Sequence, residues 1–190
     1  ITVHGAASGG RCVTSLTGDS ITAAGGSTAY PKQLYDRLIA AGVSVTMIGG
    51  QQGSPSPQTN VYHEGFPGRT YQWHVDGTPA SSDVPPYIFT GALNVALYWS
   101  TRTDATGAMF ALGTNDVGNN RLDANLDSDT ADDIAFARTL INQFRAALPT
   151  VPIAICLTFQ PNSDAAAWTS FPFTGYEYRQ KHRRFLEMVL

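Results

Sequence analysis

The chain has little of what nucleic-acid or membrane partners require. Only 14% of its 190 residues are charged, the formal net charge is −3, and lysine occurs only as Lys32 and Lys181. Binding to nucleic acid needs a clustered basic surface, which this composition does not supply. No apolar run reaches the length of a membrane span. We therefore expect neither a nucleic-acid nor a membrane partner.

Cysteine is equally scarce. Cys12 and Cys156 lie in separate strand-like segments, and no Cys-x-x-Cys pair occurs, so the sequence does not support a zinc–thiolate site. Cysteine in such segments is usually a buried free thiol. We expect two free thiols and leave a disulfide as the open alternative.

The apolar pattern predicts strands and helices in alternation. Strands are expected at 12–17, 43–48, 108–112 and 151–159, and helices at 31–42, 93–99, 131–148 and from 174 onward. This order is typical of an α/β domain with a parallel sheet, whose strands are apolar because both faces are buried. Residues 51–87 are rich in Gly, Pro, Ser and Asn and are predicted to form a long functional loop. Residues 116–129 are polar and are also predicted as a loop.

Local signals set the expected ends of the helices. Pro31 suits the first turn of the first helix, and Gly42 suits its C-terminal cap, with Leu34, Tyr35, Leu38 and Ile39 as the apolar face. Thr130 with Asp133 resembles a capping box, as does Thr174 with Glu177.

The domain organisation is simple. Residues 1–10 are small and Gly-rich and are predicted to be a flexible lead-in, and residues 11–190 are predicted to form one domain. The last predicted helix runs to Leu190 without a following strand. We therefore expect the domain to be C-terminally incomplete and to lack its last strand. Ile1 is not an initiator residue, which is compatible with a removed leader.

A serine follows the first predicted strand, in the segment Gly18-Asp19-Ser20-Ile21-Thr22. Open α/β sheets place their sites at the carboxyl ends of strands. A serine hydroxyl there can attack an ester carbonyl if a base takes its proton. Taken alone, the tripeptide is more often a helix or turn cap.

Two further segments have the same relation to strands. Gly113-Thr114-Asn115-Asp116 follows the strand at 108–112, and the Asn115 amide is suited to bind an oxyanion. His63-Glu64-Gly65-Phe66-Pro67-Gly68 lies in the long loop, and Gly68 provides backbone freedom. Each segment alone is compatible with an ordinary turn.

Together, the three segments resemble the SGNH (GDSL-type) serine hydrolases, closest to acetylxylan-esterase-like carbohydrate esterases. The resemblance implies a flavodoxin-like three-layer α/β/α sandwich and no metal or organic cofactor. It implies that Ser20 is the nucleophile and that the Ser20 and Gly68 N–H groups and the Asn115 amide form the oxyanion hole. Asp19, His63 and Thr114 are expected to contact the substrate.

The catalytic base of these enzymes comes from an Asp-x-x-His segment, and none occurs in these 190 residues. Of the four histidines, His63 is expected to support its loop or contact substrate, and His74 to lie on the surface or in packing. His182 is expected in the core, and His4 has no aspartate before it. We therefore hypothesise that the chain lacks the catalytic loop and is weakly active or inactive.

Three functions are compatible with this pattern. The first is an acetyl esterase acting on carbohydrate, favoured by Tyr62, Phe66, Tyr71 and Trp73, whose rings could stack on sugars or could instead belong to the core. The second is a general short-chain carboxylesterase or lipase-like enzyme. The third is a non-catalytic glycan-binding module. A polysaccharide substrate would make secretion the expected localisation, and the sequence does not indicate an oligomeric state.

Overall fold

The structure is a computed structural model that describes residues 11–53, 56–77, 88–89, 92–93, 95–118, 125–156 and 175–189. Its elements in chain order are β1 (Arg11–Gly18), α1 (Ser20–Ala23), α2 (Tyr30–Ala40), β2 (Ser44–Ile48), β3 (Gln51–Gln52), β4 (Tyr62–Gly65), α3 (Tyr71–Asp76), β5 (Ile88–Phe89), β6 (Ala92–Leu93), α4 (Val95–Ser100), β7 (Gly107–Ala111), α5 (Thr114–Gly118), α6 (Leu126–Ala147), β8 (Ile153–Ile155) and α7 (Gly175–Val189).

The main sheet is built around β1. The strands run in the order β3-β4-β1-β7-β8, and β2 also pairs with β1. Strand β7 occupies one edge of β1, so β2 and β4 share the other edge, β2 along its first half and β4 at its end. Every pair in this sheet is parallel except β3 with β4. The predicted α/β class with a parallel sheet is confirmed, with one antiparallel edge strand added.

Helices cover both faces of the sheet, because successive strand residues point to opposite faces. On β7, Ala108 and Phe110 join the larger core cluster, whereas Met109 packs on the smaller one. The larger cluster includes Leu140 and Phe144 of α6, both completely buried, and the smaller receives Leu34 and Tyr35 of α2. Full burial of Leu140 and of Phe144 contributes roughly 1.5–3 kcal/mol each. The result is the three-layer arrangement that the family resemblance implies.

Helix α2 begins and ends where the sequence predicts. Pro31 lies in its first turn, and Gly42 adopts a φ of +76° just past its end. The N–H groups of Gly42 and Val43 return to the carbonyls of Ile39 and Leu38, which satisfies the last turn. The predicted apolar face is wrong at Ile39, which is 47% exposed.

The predicted loop at 51–87 is wrong in its first part, which contains β3, β4 and α3. The pattern concealed β4 because its central residues, His63 and Glu64, are polar, yet they are buried. Apolar alternation identifies a strand only where burial is apolar. Residues 78–87 lie outside the described residues.

The predicted loop at 116–129 is also wrong, because α5 and the first turn of α6 lie within it. The capping box at Thr130 and Asp133 does not form. Thr130 lies inside α6, where its hydroxyl donates to the Leu126 carbonyl over 2.6 Å. The helix begins instead after Asn125, and Asp127 and Asp129 in its first turn complement the helix dipole.

Some of the remaining predictions agree with the structure, one is wrong in part, and others lie outside the described residues. Strand β8 and helix α7 form within their predicted segments. The helix predicted at 93–99 is wrong at Leu93, which lies in β6, and α4 runs to Ser100. Cys12 and Cys156 are free thiols, each half-buried. No helix among the described residues is both long and apolar enough to cross a membrane. The lead-in at 1–10, the end of the last predicted strand and the capping residue Thr174 lie outside the described residues.

Candidate functional site

Three strands end at the same level of the sheet. Gly18, the last residue of β1, pairs with Gly65 at the end of β4 and with Ala111 at the end of β7. Three segments contain or directly follow these strand ends. We call them the serine turn (residues 18–23), the glycine block (residues 62–70) and the asparagine turn (residues 113–118). Ser20, Gly68 and Asn115 therefore all follow the same edge within a few residues.

The serine turn is shaped by Asp19. This residue is completely buried, and its Oδ1 accepts the N–H of Ile21 over 2.9 Å, which caps α1. Burial raises the pKa of Asp19, although the bonds from Ile21 and Thr114 act in the opposite direction. Ser20 is the first residue of α1, and its side chain is exposed. The buried carboxylate thus fixes the turn that presents the serine to solvent.

Glycine is required at position 18 by close approach. A Cβ there would lie 1.9 Å from Oγ1 of Thr22 and 2.7 Å from the carbonyl oxygen of Ala111. Thr22 Oγ1 is itself held by the Tyr30 hydroxyl at 2.8 Å. The serine turn therefore packs directly on the strand end, with no space for a side chain between them.

The glycine block turns sharply after β4. Gly68 adopts a φ of +75°, in the left-handed region that favours glycine, and it is exposed. The Phe66 N–H donates to the Gly18 carbonyl over 2.9 Å, and the Arg69 N–H donates to the Phe66 carbonyl over 3.2 Å. The block is thus tied to the end of β1 immediately before Gly68.

The asparagine turn contacts both other segments. The Asn115 side-chain amide donates to the Arg69 carbonyl over 2.9 Å, and the Asp116 carboxylate accepts the Tyr71 N–H over 3.0 Å. A hydrogen bond also joins Thr114 to the Asp19 side chain. The three segments are therefore closed into a ring of hydrogen bonds. An amide carries two N–H donors, so Asn115 retains one beyond the bond that orients it.

The three residues predicted as substrate contacts have structural bonds here. Asp19 and His63 are buried, and Nδ1 of His63 accepts the Gly65 N–H over 3.1 Å. Thr114 is half-buried and bonds to Asp19. The substrate contact of all three stays a prediction, as do the catalytic roles of Ser20, Gly68 and Asn115.

The described histidines are all buried, whereas Ser20 is exposed. His63, His74 and His182 are 1%, 0% and 3% exposed, so the surface position considered for His74 is wrong and its packing role is confirmed. Its ring lies 5.1 Å from that of Trp73. Burial lowers the pKa of His63 to about 4 and that of His74 to about 3. His182 lies on α7, which packs against α5, and His4 lies outside the described residues.

The aromatic residues of the glycine block and α3 mostly belong to the core. Phe66, Tyr71 and Trp73 are each at least nine-tenths buried, and the rings of Phe66 and Trp73 lie 5.0 Å apart. Tyr62 is different, with 40% of its surface exposed. Of the four rings, only Tyr62 is therefore available to stack on a ligand in this structure.

The sequence does not predict the polar partners of the glycine block. Glu64 enters the prediction only as part of the motif, and Tyr98, whose hydroxyl donates to its carboxylate, lies in the segment predicted as a helix at 93–99. The only signal in the sequence is an acid between His63 and Gly65. Among the described residues, no three His, Cys, Asp or Glu side chains are grouped to hold a metal ion.

Comparison with known proteins adds a family and a fold. Residues 16–188 match the family model described as GDSL-like Lipase/Acylhydrolase. A carbohydrate esterase family 3 protein from Talaromyces cellulolyticus is 22% identical with a TM-score of 0.56, covering 93% of this chain and 73% of its own. A family 3 carbohydrate esterase from Clostridium thermocellum is 20% identical with a TM-score of 0.58, covering 94% and 72%. No curated protein sequence matches significantly.

A third solved structure is an acetyl esterase mutant determined with an acetate ion. It is 22% identical with a TM-score of 0.55, covering 93% of this chain and 73% of its own. At these identities the three structures establish a shared fold.

Proposed function

Because the chain belongs to the GDSL-like lipase/acylhydrolase family of carboxylic-ester hydrolases, we propose that it removes acetyl or other short acyl groups from a carbohydrate, with Ser20 as the nucleophile. One observation carries the proposal. The exposed Ser20 shares a strand-end level with Gly68 and Asn115, and hydrogen bonds link their three segments into a ring. A nucleophile and candidate oxyanion donors on linked segments at one strand-end level suit acyl transfer.

The proposed reaction has two steps. Ser20 Oγ attacks the acyl carbon while a base takes its proton, and the carbonyl oxygen becomes an oxyanion bound by the Ser20 and Gly68 N–H groups and the Asn115 amide. The C–O bond to the sugar then breaks, and the sugar hydroxyl leaves with a proton. Water attacks the acyl-serine in the second step, which releases the carboxylate and restores the Ser20 hydroxyl.

The general base is proposed to be neither His63 nor His74. A base is most effective when its pKa lies near the working pH. Burial lowers the pKa values of these two imidazoles to about 4 and about 3. His182, on the helix that packs against α5, is the described histidine to substitute first.

The carbohydrate substrate is supported by the solved structures, two of which are family 3 carbohydrate esterases. A polysaccharide substrate would lie outside the cell, so secretion is part of this proposal.

One observation favours a second candidate, a general short-chain carboxylesterase. Phe66, Tyr71 and Trp73 are core residues, which leaves only Tyr62 of the four rings as a stacking surface for sugar.

The first test measures acetate release from an aryl acetate by the 190-residue chain beside Ser20→Ala. We expect release that disappears with the substitution, because the acyl-enzyme cannot form. Equal release by both proteins would contradict the proposal. A kcat in the ordinary range of about 1–10³ s⁻¹ would also overturn the hypothesis of a missing base.

A second test separates the two candidates. Aryl esters of increasing acyl length are compared with acetylated xylo-oligosaccharide as substrates. An acetyl optimum together with release from the oligosaccharide supports the carbohydrate esterase. An optimum at longer acyl chains supports the general carboxylesterase.

A further inference from the structure

Glu64 is a buried acid with no role in the proposed reaction. It lies in β4 next to Gly65 and is completely buried. Its Oε1 accepts the Tyr98 hydroxyl of α4 over 2.6 Å and the N–H of Gly50, in the turn between β2 and β3, over 2.7 Å. One carboxylate oxygen therefore joins three separate parts of the chain.

We propose that Glu64 is a positioning residue, an inference that rests on the proposed function. It fixes the position of β4 along the strand axis and thereby holds the Gly68 N–H opposite Ser20. It does not touch the substrate. It acts through the backbone that links Gly65 to Gly68.

Strand β4 needs such an anchor because its own pairing is short. It has two residue pairs with β1 and two with β3. A ladder this short offers few bonds against sliding along the strand axis. The bonds from Glu64 to α4 and to the β2–β3 turn supply constraints that the ladder lacks.

The position of β4 along the strand axis matters because α1 packs on Gly65, the last residue of β4. A Cβ at Gly65 would lie 2.5 Å from the Ala23 nitrogen and 2.8 Å from the Thr22 carbonyl carbon. The helix that begins at Ser20 therefore lies directly on the backbone of β4. A shift of β4 would move Gly68 and the support of α1 relative to each other, and misplacement by about 1 Å costs on the order of 10²-fold in rate.

The charge state of Glu64 sets the strength of both bonds. Burial raises its pKa to about 7, against the opposing effects of Tyr98, Gly50 and Arg102. The Arg102 guanidinium lies 5.2 Å from the centre of the Tyr98 ring. Among the described residues, Tyr98 and Arg102 are the titratable groups that act on this carboxyl. Hydrogen bonds to the ionised form are the stronger ones, so the anchor tightens as the pH rises through neutrality.

The test compares Glu64→Gln with Glu187→Gln, the same substitution at an exposed residue that pairs with Arg183. We expect Glu64→Gln to lower kcat about 10–10²-fold with KM within about twofold, because ground-state binding does not depend on the oxyanion donors. Glu187→Gln should leave both constants unchanged. A kcat of Glu64→Gln equal to the wild type would overturn the proposal.

Amide NMR gives a readout that needs no turnover. The Gly50 amide proton should titrate near pH 7 in the wild type and lose this titration in Glu64→Gln. The Gly68 amide should change its shift in Glu64→Gln but not in the control Glu187→Gln. An unchanged Gly68 amide would overturn the positioning role. If no Ser20-dependent turnover exists, the proposed function fails and these amides still decide the role of Glu64.

Tyr98→Phe is the second variant, for use if Glu64→Gln does not fold. It removes one donor and keeps the acid, so we expect a smaller fall in kcat, about 3–10-fold, in the same direction. An unchanged kcat and an unchanged Gly68 amide in Tyr98→Phe would count against the proposal.

Discussion

The serine turn and the glycine block leave the sheet at one level, but different contacts hold them. In the serine turn the Asp19 carboxylate bonds to Ile21, two residues along the chain. In the glycine block the Glu64 carboxylate bonds to Gly50 and to Tyr98, which is 34 residues away. The serine turn thus has a local cap beside the bond from Asp19 to Thr114, whereas both bonds of Glu64 reach separate parts of the chain.

This difference predicts how each segment responds to change. A local cap is lost with one side chain and costs about 1 kcal/mol, leaving the rest of the fold in place. A long-range anchor is lost if any of its partners moves. The following substitutions break the link between the two segments, or test each segment alone.

The largest effect is expected at Asn115, which joins the asparagine turn to the glycine block. Asn115→Ala removes the amide that donates to the Arg69 carbonyl and to the proposed oxyanion. We expect kcat to fall about 10²–10³-fold with KM little changed. Steady-state kinetics on an aryl acetate measures this. The exposed Asn142→Ala is the control, and equal kcat values for the two variants would exclude the role.

The pH dependence of the free energy of unfolding tests whether His63, in the glycine block, is held neutral. Burial lowers its pKa to about 4 from 6.5. The unfolded chain therefore binds a proton that the folded chain does not, so stability is full above pH 6.5 and falls as the pH drops towards 4. One proton over this range corresponds to about 3 kcal/mol. His63→Asn keeps an acceptor for the Gly65 N–H and lacks the titration.

Urea unfolding of the wild type and His63→Asn at several pH values measures the effect. The difference in the free energy of unfolding should shift in favour of the variant as the pH falls from 6.5 to 4. His74 titrates in both proteins and cancels. A difference that stays constant with pH would show that His63 is not held neutral.

Gly65 is where the two segments touch. Gly65→Ala places a methyl group 2.5 Å from the Ala23 nitrogen. We expect a loss of about 1–3 kcal/mol of stability and a fall in kcat, because α1 must move. Gly107→Ala is the matched control, since its new methyl group would meet only Thr14 Oγ1 at 3.7 Å. Similar denaturation midpoints for the two variants would argue against the contact.

The smallest effect is expected at Asp19, whose cap bond to Ile21 is local and whose other bond joins it to Thr114. Asp19→Ala removes the cap of α1 and should cost about 1 kcal/mol in urea unfolding. Asp19→Asn keeps an oxygen acceptor for the Ile21 N–H and should lose less. If Asn is as costly as Ala, the charge rather than the cap supports the turn.

The same contrast explains what the sequence could predict. Strand β7 is predictable from its apolar run, and β1 from Cys12, Val13 and Leu16 among small polar residues before Gly18. Ser20 and Asn115 are then the polar residues that follow these strands. Strand β4 was missed because His63 and Glu64 are polar and buried. Their burial depends on partners such as Tyr98, and no local pattern encodes a partner 34 residues away.

Helix α6 shows a smaller error of the same kind. Its interior was identified from Leu140 and Phe144, which recur at helical spacing and are fully buried. Its start was placed too late, because Thr130 and Asp133 matched a capping pattern. The helix begins after Asn125, whose side chain makes no cap bond, and two acids lie in its first turn. Both patterns are locally plausible, and tertiary packing decides between them.

Because Gly18 pairs with both Gly65 and Ala111, the geometry of the site depends on the register of the three strands. A slip of one residue in either pairing shifts one segment by about 3.3 Å and turns its side chains to the opposite face. The three segments lie far apart in the chain, so none is placed until β4, β1 and β7 have assembled. Catalytic competence should therefore appear late in refolding, and recovered turnover would report the fraction of molecules with correctly aligned strands.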